Sequence, residues 1–336
     1  MTRVGVLGAG SFGTALAVHA ARAGHSVALW ARRADVAAEL DARRENRLYL
    51  PGVELPAEIA VDHDYDAVAD AEILVVAVPS HGYRAVLAEA LAARGSRPVT
   101  IVSATKGIEA DTLARMSRVS LEEGERCALP ARFAVLSGPT FAAELARGVP
   151  SAAVVASDEA DLAAGLCHAL ATPTLRLYST SDVVGVELAG TAKNVIAIAA
   201  GVLAGLGLGH NTLAALITRG LHEMTRLAVA WGADPETLRG LAGLGDLVLT
   251  CTGGLSRNRR TGIELARGRT LAEIERETSE VAEGVRNSLA LARLAGERGV
   301  ELPIIEQMCA VMYEGRPPER AIRDLMTREL KEESRL

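Results

Sequence analysis

Lysine is almost missing from this chain. Of 36 basic residues among 336, only Lys106, Lys193 and Lys331 are lysine. Lys331 sits in a charged tail, residues 328–335, and reads as solvated surface. Lys106 instead follows the apolar run Val99-Thr100-Ile101-Val102, and Lys193 lies within the almost wholly apolar residues 190–198. Arginine keeps its charge at any ordinary pH, whereas a desolvated lysine can release a proton. A chain that spends arginine nearly everywhere and lysine at these two places points to lysine chemistry there.

Other scarcities exclude whole classes of protein. The four cysteines (Cys127, Cys167, Cys251 and Cys309) are far apart and form no CxxC, and no His or Cys pair has zinc-ligand spacing, so no metal is expected. The net charge of -6 gives no basic surface for nucleic acid. The longest apolar stretch, residues 195–209, falls short of a membrane span and is rich in glycine, so it reads as a buried core helix. Residues 1–10 run straight into a strand, so neither a secretory signal nor a membrane anchor is expected, and the reading is cytoplasmic.

What is present fits a two-domain globular protein. The length supports two domains and a sizeable core, and a 49% apolar, 23% charged composition is that of a folded chain. Arg3-Val4-Gly5-Val6-Leu7 reads as a buried strand. It leads into Gly8-Ala9-Gly10-Ser11-Phe12-Gly13, then an apolar helix, then a second strand at Ser26-Val27-Ala28-Leu29-Trp30. In this setting Gly8 makes the tight turn, Gly10 gives room for a pyrophosphate, and Gly13 lets helix pack on strand. The helix N-terminus offers its N–H groups to the phosphates.

The second strand ends in Ala31-Arg32-Arg33 rather than in Asp or Glu. Two guanidiniums suit a 2′-phosphate, which favours NADP(H), while Asp35 just beyond can serve a ribose and leaves NAD(H) as the alternative. A plain solvated turn is the competing reading of Arg32 and Arg33. Further strands are expected at residues 73–78, 99–102, 133–136, 152–155 and 174–178, with helices between them. This alternation predicts an open parallel sheet whose ligand lies beyond the C-terminal strand ends, bringing Lys106, Gly138 and Thr140 to the glycine loop. His81, also at a strand end, reads as an ordinary loop histidine.

After the capping cluster Ser179-Thr180-Ser181-Asp182 the strand signals stop and a helical pattern takes over. The expected architecture is α/β: a Rossmann-type, doubly wound sheet over residues 1–180, then an all-α domain over residues 181–336. On its helix, Lys193 has Ala189, Gly190, Ile196 and Ala197 as its i±3 and i±4 neighbours and no carboxylate among them. Taken alone, that segment fits equally a lysine that snorkels to solvent. Asp246, set in the apolar, glycine-flanked run of residues 241–249, changes the balance, because a buried Lys193–Asp246 contact would satisfy both groups. Ser256-Arg257-Asn258-Arg259-Arg260 follows Gly253-Gly254 and combines hydroxyl, guanidinium and amide in the manner of a phosphate site. For Arg259 and Arg260 a solvated basic loop is an equal reading.

These blocks together resemble the bacterial form of the NAD(P)-dependent glycerol-3-phosphate dehydrogenase family. The likeness rests on GAGSFGTALA, LVVAVPSH, SATKGIE, SGPTFAAELA, GTAKNVIAIAAG, LAGLGDLVLTCTGGLSRNRR and VAEGVRN, and runs from about Val4 to about Pro303. It implies Lys193 as catalytic proton donor and acceptor. It implies a substrate site of Lys106, Gly138, Thr140, Lys193, Asp246, Ser256, Arg257 and Asn258. It also implies that Ser11, Phe12, Arg32, Arg33, Lys106, Ala142, Arg257, Val281 and Glu283 line the cofactor. The implied reaction interconverts dihydroxyacetone phosphate and sn-glycerol 3-phosphate and supplies phospholipid biosynthesis, and the family is compatible with a homodimer.

Overall fold

The structure, a computed structural model, describes residues 1–277, 282–330 and 332–333. It divides into two compact units: Met1–Lys106 with Ala114–Val183, and Gly107–Leu113 with the chain from Val184 onward. The change from strands to helices thus falls a few residues beyond the cluster at 179–182. The short stretch 107–113, next to Lys106, groups with the helical unit although it lies deep within the first half of the chain.

The first unit alternates strand and helix. In chain order come β1 (Arg3–Leu7), α1 (Ser11–Arg22), β2 (Ser26–Trp30), α2 (Ala34–Arg43), β3 (Glu45–Asn46), β4 (Leu50–Glu54) and β5 (Ile59–Asp62). Then follow β6 (Ile73–Val76), α3 (Tyr83–Ala93), β7 (Val99–Ser103), α4 (Met116–Arg126), β8 (Ala131–Ser137), α5 (Ala142–Ala146), β9 (Ser151–Ala156), α6 (Ala160–Leu170) and β10 (Leu175–Thr180). Eight strands form one sheet in the order β10-β9-β8-β7-β6-β1-β2-β5, while β3 and β4 pair by themselves as an antiparallel hairpin. Val4, Val6, Val75, Val102, Ala134 and Leu136 of the strands share a core with Ala15, Leu16 and Val18 of α1. Four apolar residues in a row, such as Ile73–Val76, are buried because a central strand is covered on both faces.

The sheet is not wholly parallel, which corrects the expectation of an open parallel sheet. β8 and β9 are antiparallel, and β10 then runs parallel to β9. A parallel return needs a crossover long enough to span the sheet. Between β8 and β9 the connection, residues 138–150, carries only the five-residue α5, about 7.5 Å of helix, against the 11 residues of α6 between the parallel β9 and β10, and here the chain doubles back. The sequence also hid β5 and the β3–β4 hairpin. β3 has two residues and β5 four, too short to show a period, and β4 is interrupted by Pro51 and Gly52.

Apart from residues 107–113, which form no helix, the regular elements among the second unit's described residues are helices. It contains α7 (Val183–Gly205), α8 (His210–Ala230), α9 (Pro235–Arg239), a π turn (Leu241–Gly245), α10 (Asp246–Thr252), α11 (Arg257–Ala266), α12 (Leu271–Glu277), α13 (Glu283–Arg298), α14 (Pro303–Tyr313) and α15 (Pro318–Met326). α7 is largely apolar and, apart from a few polar residues such as Glu187 and Lys193, buried along most of its length, so it sits at the centre of the unit. By length and composition it could cross a membrane, but 89% of its most apolar window is buried inside the protein. Gly201 and Gly262 let α7 and α11 touch backbone to backbone: a methyl group on Gly262 would stand 1.9 Å from Ile198 O. Gly284 of α13 meets Asn194 O in the same manner, at 2.6 Å.

Candidate active site

The glycine loop joins β1 to α1 with each glycine in a distinct situation. Gly8 has φ +112°, a conformation that side chains disfavour, and a methyl group there would lie 2.8 Å from Ala77 O. At Gly13 a methyl would collide with Gly8 O at 1.9 Å, so close helix-on-strand packing requires glycine. Gly10 differs, since a methyl there would meet nothing within 4 Å. The open space lies beside the first turn of α1, which carries no side-chain cap. Uncapped N–H groups beside a free approach fit a pyrophosphate. Phe12 and Ala142, which opens α5, are partly buried against the same core.

At the end of β2, Arg32 and Arg33 are exposed. Arg33 pairs with Asp35 at 3.4 Å, so the carboxylate that could have read a ribose faces a guanidinium. The neighbouring order of β1, β6, β7 and β8, all parallel, puts their C-terminal ends on one edge of the sheet. There Lys106 Nζ donates to Gly138 O at 3.3 Å, and Thr140 Oγ1 donates to the same carbonyl at 3.2 Å. Gly138 has φ +141° and packs its Cα against Ala153, which explains the glycine. Lys106, Gly138 and Thr140 therefore come together. His81 lies in a one-turn helix, Ser80–Gly82, after β6.

In the helical unit Lys193 and Asp246 meet. Lys193 Nζ donates to Asp246 Oδ1 at 2.8 Å and to Thr250 Oγ1 at 2.7 Å, with the two charged side chains only 7% and 2% exposed. Thr250 in turn donates to Asp246 O at 2.6 Å, which holds its oxygen toward the lysine. Asp246 begins α10 directly after the π turn Leu241–Gly245, so it lies inside a continuous helical segment. Cys251 follows directly. Burial pushes its thiol up to about 12, against the pull of Lys193 and Arg259, so it stays neutral beside the pair. Breaking such a buried pair by removing one partner costs about 3–5 kcal/mol, whereas the intact pair is satisfied.

The basic stretch forms the start of α11. Ser256 is its N-cap, accepting from Arg259 N at 3.2 Å, so this hydroxyl oxygen has a structural duty. Asn258 is buried in a network: its Nδ2 donates to Asn194 Oδ1 at 2.9 Å, and its Oδ1 accepts from Gly284 N at 3.0 Å. Asn194 continues the chain to Gly190 O at 3.3 Å. The network ties α7, α11 and α13 together and leaves Asn258 few groups for a ligand. Arg257 has an exposed side chain, yet desolvation lowers its pKa, with Glu283 opposing and Arg260 adding to the drop. Glu283 opens α13 and is half-buried. Val281 lies outside the described residues.

Sequence reading overlooked Thr250, Asn194 and Asn46. Thr250 stands four residues after Asp246, so it shares that helix face and could have been found by spacing. Asn194 directly follows Lys193 and points to another face. Asn46, 2% exposed, donates to Ala9 O at 2.9 Å and to Thr14 Oγ1 at 2.8 Å. No local pattern marks it.

Comparison with known proteins places both units. The family described as NAD-dependent glycerol-3-phosphate dehydrogenase matches with its N-terminal model over residues 3–163 and its C-terminal model over residues 182–323. The chain is 50% identical over 331 residues to a "Glycerol-3-phosphate dehydrogenase [NAD(P)+]" of Koribacter versatilis, covering 98% of each chain. A protein of the same name from Geobacter metallireducens is 50% identical over 338 residues, again with 98% of each covered. Among solved structures, glycerol-3-phosphate dehydrogenase from Coxiella burnetii superposes with a TM-score of 0.92 at 36% identity, over 97% of this chain and 99% of that one.

Proposed function

The chain belongs to the NAD-dependent glycerol-3-phosphate dehydrogenase family, and from that premise we propose how its residues carry the reaction. It is an NAD(P)-dependent oxidoreductase that interconverts glycerol 3-phosphate and dihydroxyacetone phosphate. When bound, the dinucleotide supplies or accepts the hydride at the substrate's C2. Lys193 supplies and removes the proton on the C2 oxygen. In reduction, negative charge grows on that oxygen; the Lys193 ammonium stabilises it and donates. In oxidation, neutral Lys193 is the base. Asp246 and Thr250 hold the amine in place through both states. The observation that carries this reading is the 2.8 Å contact between two buried, oppositely charged groups. Such a pair is costly to build and is common where proton transfer is needed.

Arg257 binds the substrate phosphate, and the family likeness adds Lys106, Gly138 and Thr140 of the first unit to the substrate-binding residues. Fixing the phosphate fixes C2. Asn258 acts by holding α11 against α7. Arg32 and Arg33 favour NADP(H) over NAD(H). The reductive direction, in the cytoplasm and as a homodimer, supplying the glycerol backbone of phospholipids, completes the proposal; its support is the family likeness.

The test is to mix the protein with dihydroxyacetone phosphate and NADPH, follow the absorbance of the reduced cofactor, and repeat with NADH. Rapid oxidation that requires the phosphate group, faster with NADPH, is expected. Equal turnover of dihydroxyacetone would remove the phosphate site from the reading, and faster use of NADH would overturn the cofactor preference.

A further inference from the structure

The β3–β4 hairpin is absent from any simple strand–helix–strand plan, yet it reaches the most sensitive part of the nucleotide loop. Asn46, at its start, is 2% exposed and spends both amide N–H groups inward, on Ala9 O (2.9 Å) and Thr14 Oγ1 (2.8 Å). Its Oδ1 accepts from Tyr49 N at 3.1 Å, which closes the hairpin turn around it. The hairpin is itself pinned. Arg44 donates to Pro56 O and Ile59 O at 2.6 and 2.7 Å, and Leu50, Val53 and Leu55 are buried in the core of the unit. Asn46 therefore cannot move without disturbing packed residues.

Ala9 and Thr14 are its telling partners, because they flank Gly10. In a trans peptide the C=O and the following N–H point in opposite directions. Holding Ala9 C=O toward Asn46 turns Gly10 N–H away from Asn46. Thr14 N also donates to Gly10 O at 2.9 Å, so the turn is held on its far side as well. We propose that Asn46 is a positioning residue for the dinucleotide: by gripping Ala9 and Thr14 it presets the Gly10 N–H and the first turn of α1 to receive the pyrophosphate. This rests on the placement of the dinucleotide at the glycine loop. A donor oriented before binding gives its full strength, because no reorganisation is needed at the moment of contact. Without Asn46 the Ala9–Gly10 peptide can rotate to find another donor for its carbonyl, and the N–H rotates with it.

The test uses full-length Asn46→Ala and Asn46→Asp, titrated calorimetrically with two cofactor fragments. 2′-phospho-ADP-ribose contains the pyrophosphate; 2′-AMP does not. For both variants the Kd of 2′-phospho-ADP-ribose should rise about 10- to 100-fold, the loss expected for a charge-assisted contact, while that of 2′-AMP changes less than about threefold. Asn46→Asp should be the worse, since its carboxylate faces Ala9 O. The KM for NADPH should rise while kcat at saturating NADPH stays within about threefold of wild type. Thr14→Val, which removes one acceptor and keeps the shape of α1, should weaken the pyrophosphate fragment by a smaller factor and serves if Asn46→Ala does not fold. Equal loss of both fragments, or unchanged binding of the pyrophosphate fragment, would overturn the proposal. Wild-type protein that binds neither 2′-phospho-ADP-ribose nor ADP-ribose would overturn the placement of the dinucleotide itself, and the role of Asn46 with it.

Discussion

A lysine buried in an apolar helix is stable only in company, and that company tells what it does. The Lys193 amine has the Asp246 carboxylate and the Thr250 hydroxyl of α10 within 2.8 Å. Lys193→Met keeps the length and apolar stem but removes the proton. It should lower kcat by about 10² to 10⁴, with the Kd of NADPH unchanged, read by steady-state kinetics and fluorescence titration. A Met variant with wild-type turnover would take the lysine out of the mechanism. At the nucleotide end, the Arg33–Asp35 pair is 58% and 75% exposed, and such pairs contribute only about 0–1 kcal/mol. It yields readily to a 2′-phosphate. Arg32→Ala with Arg33→Ala should raise the Kd of NADPH about 10- to 100-fold and leave that of NADH within about threefold; equal losses would mean these guanidiniums do not read the phosphate. The scarcity of lysine made Lys106 and Lys193 legible from sequence, and the cost of a lone buried carboxylate made Asp246 legible. Asn46 and Asn194 were not, because an asparagine looks the same in a loop, a turn or a buried network until its partners are known.

At the scale of elements, the site depends on how closely two helices can lie. Gly201 and Gly205 of α7 face Gly262 and Ala266 of α11 with backbone atoms in contact. Only at that distance can Asn258 reach Asn194. Gly262→Ala would place a methyl 1.9 Å from Ile198 O, so the helices must part. The expected cost is about 1–3 kcal/mol, seen as a lower thermal midpoint together with a higher KM for dihydroxyacetone phosphate. Gly296→Ala on α13, where a methyl meets nothing within 4 Å, is the control and should match or exceed wild-type stability by up to about 1 kcal/mol. If both variants melt alike, the close approach is not what holds α11. Sequence pattern identified α7 and the first βαβ unit because their periods are long and clean. It missed the reversal of β9 because strand direction is not set by the residues within the strand.

The whole molecule adds a pH dependence that no single segment shows. Glu223 of α8 is 3% exposed and accepts from Ile304 N at 2.7 Å and Ile305 N at 3.4 Å, which joins α8 to the start of α14. Two backbone donors and Arg226 favour the carboxylate, but burial outweighs them, with Glu306 adding to it, and the group is pushed up to about 7 from 4.5. Between those values the folded protein keeps a proton that the unfolded chain has released. Stability from this group is therefore fully present below about pH 4.5 and is lost as pH rises to about 7, by an amount on the order of 3 kcal/mol. Glu223→Gln keeps a neutral hydrogen-bonding side chain at every pH. Denaturant midpoints at pH 5 and pH 8 should show the variant gaining on wild type as pH rises; a constant difference would mean that Glu223 is ionised throughout.

The sequence by itself determined the glycine loop, the strand–helix–strand unit around it, the change from strands to helices in the second half, and which lysine and carboxylate are too costly to bury alone. These are local matters: a period, a turn, a residue too costly to bury without purpose. Tertiary structure alone decided that Lys193 meets Asp246 and Thr250 across 53 and 57 residues, that Asn258 bonds Asn194, that β9 turns back, and that a hairpin asparagine bonds Ala9 and Thr14 around the glycine loop. Each of these depends on which surfaces pack together, and packing distance is not a property of any one stretch of chain.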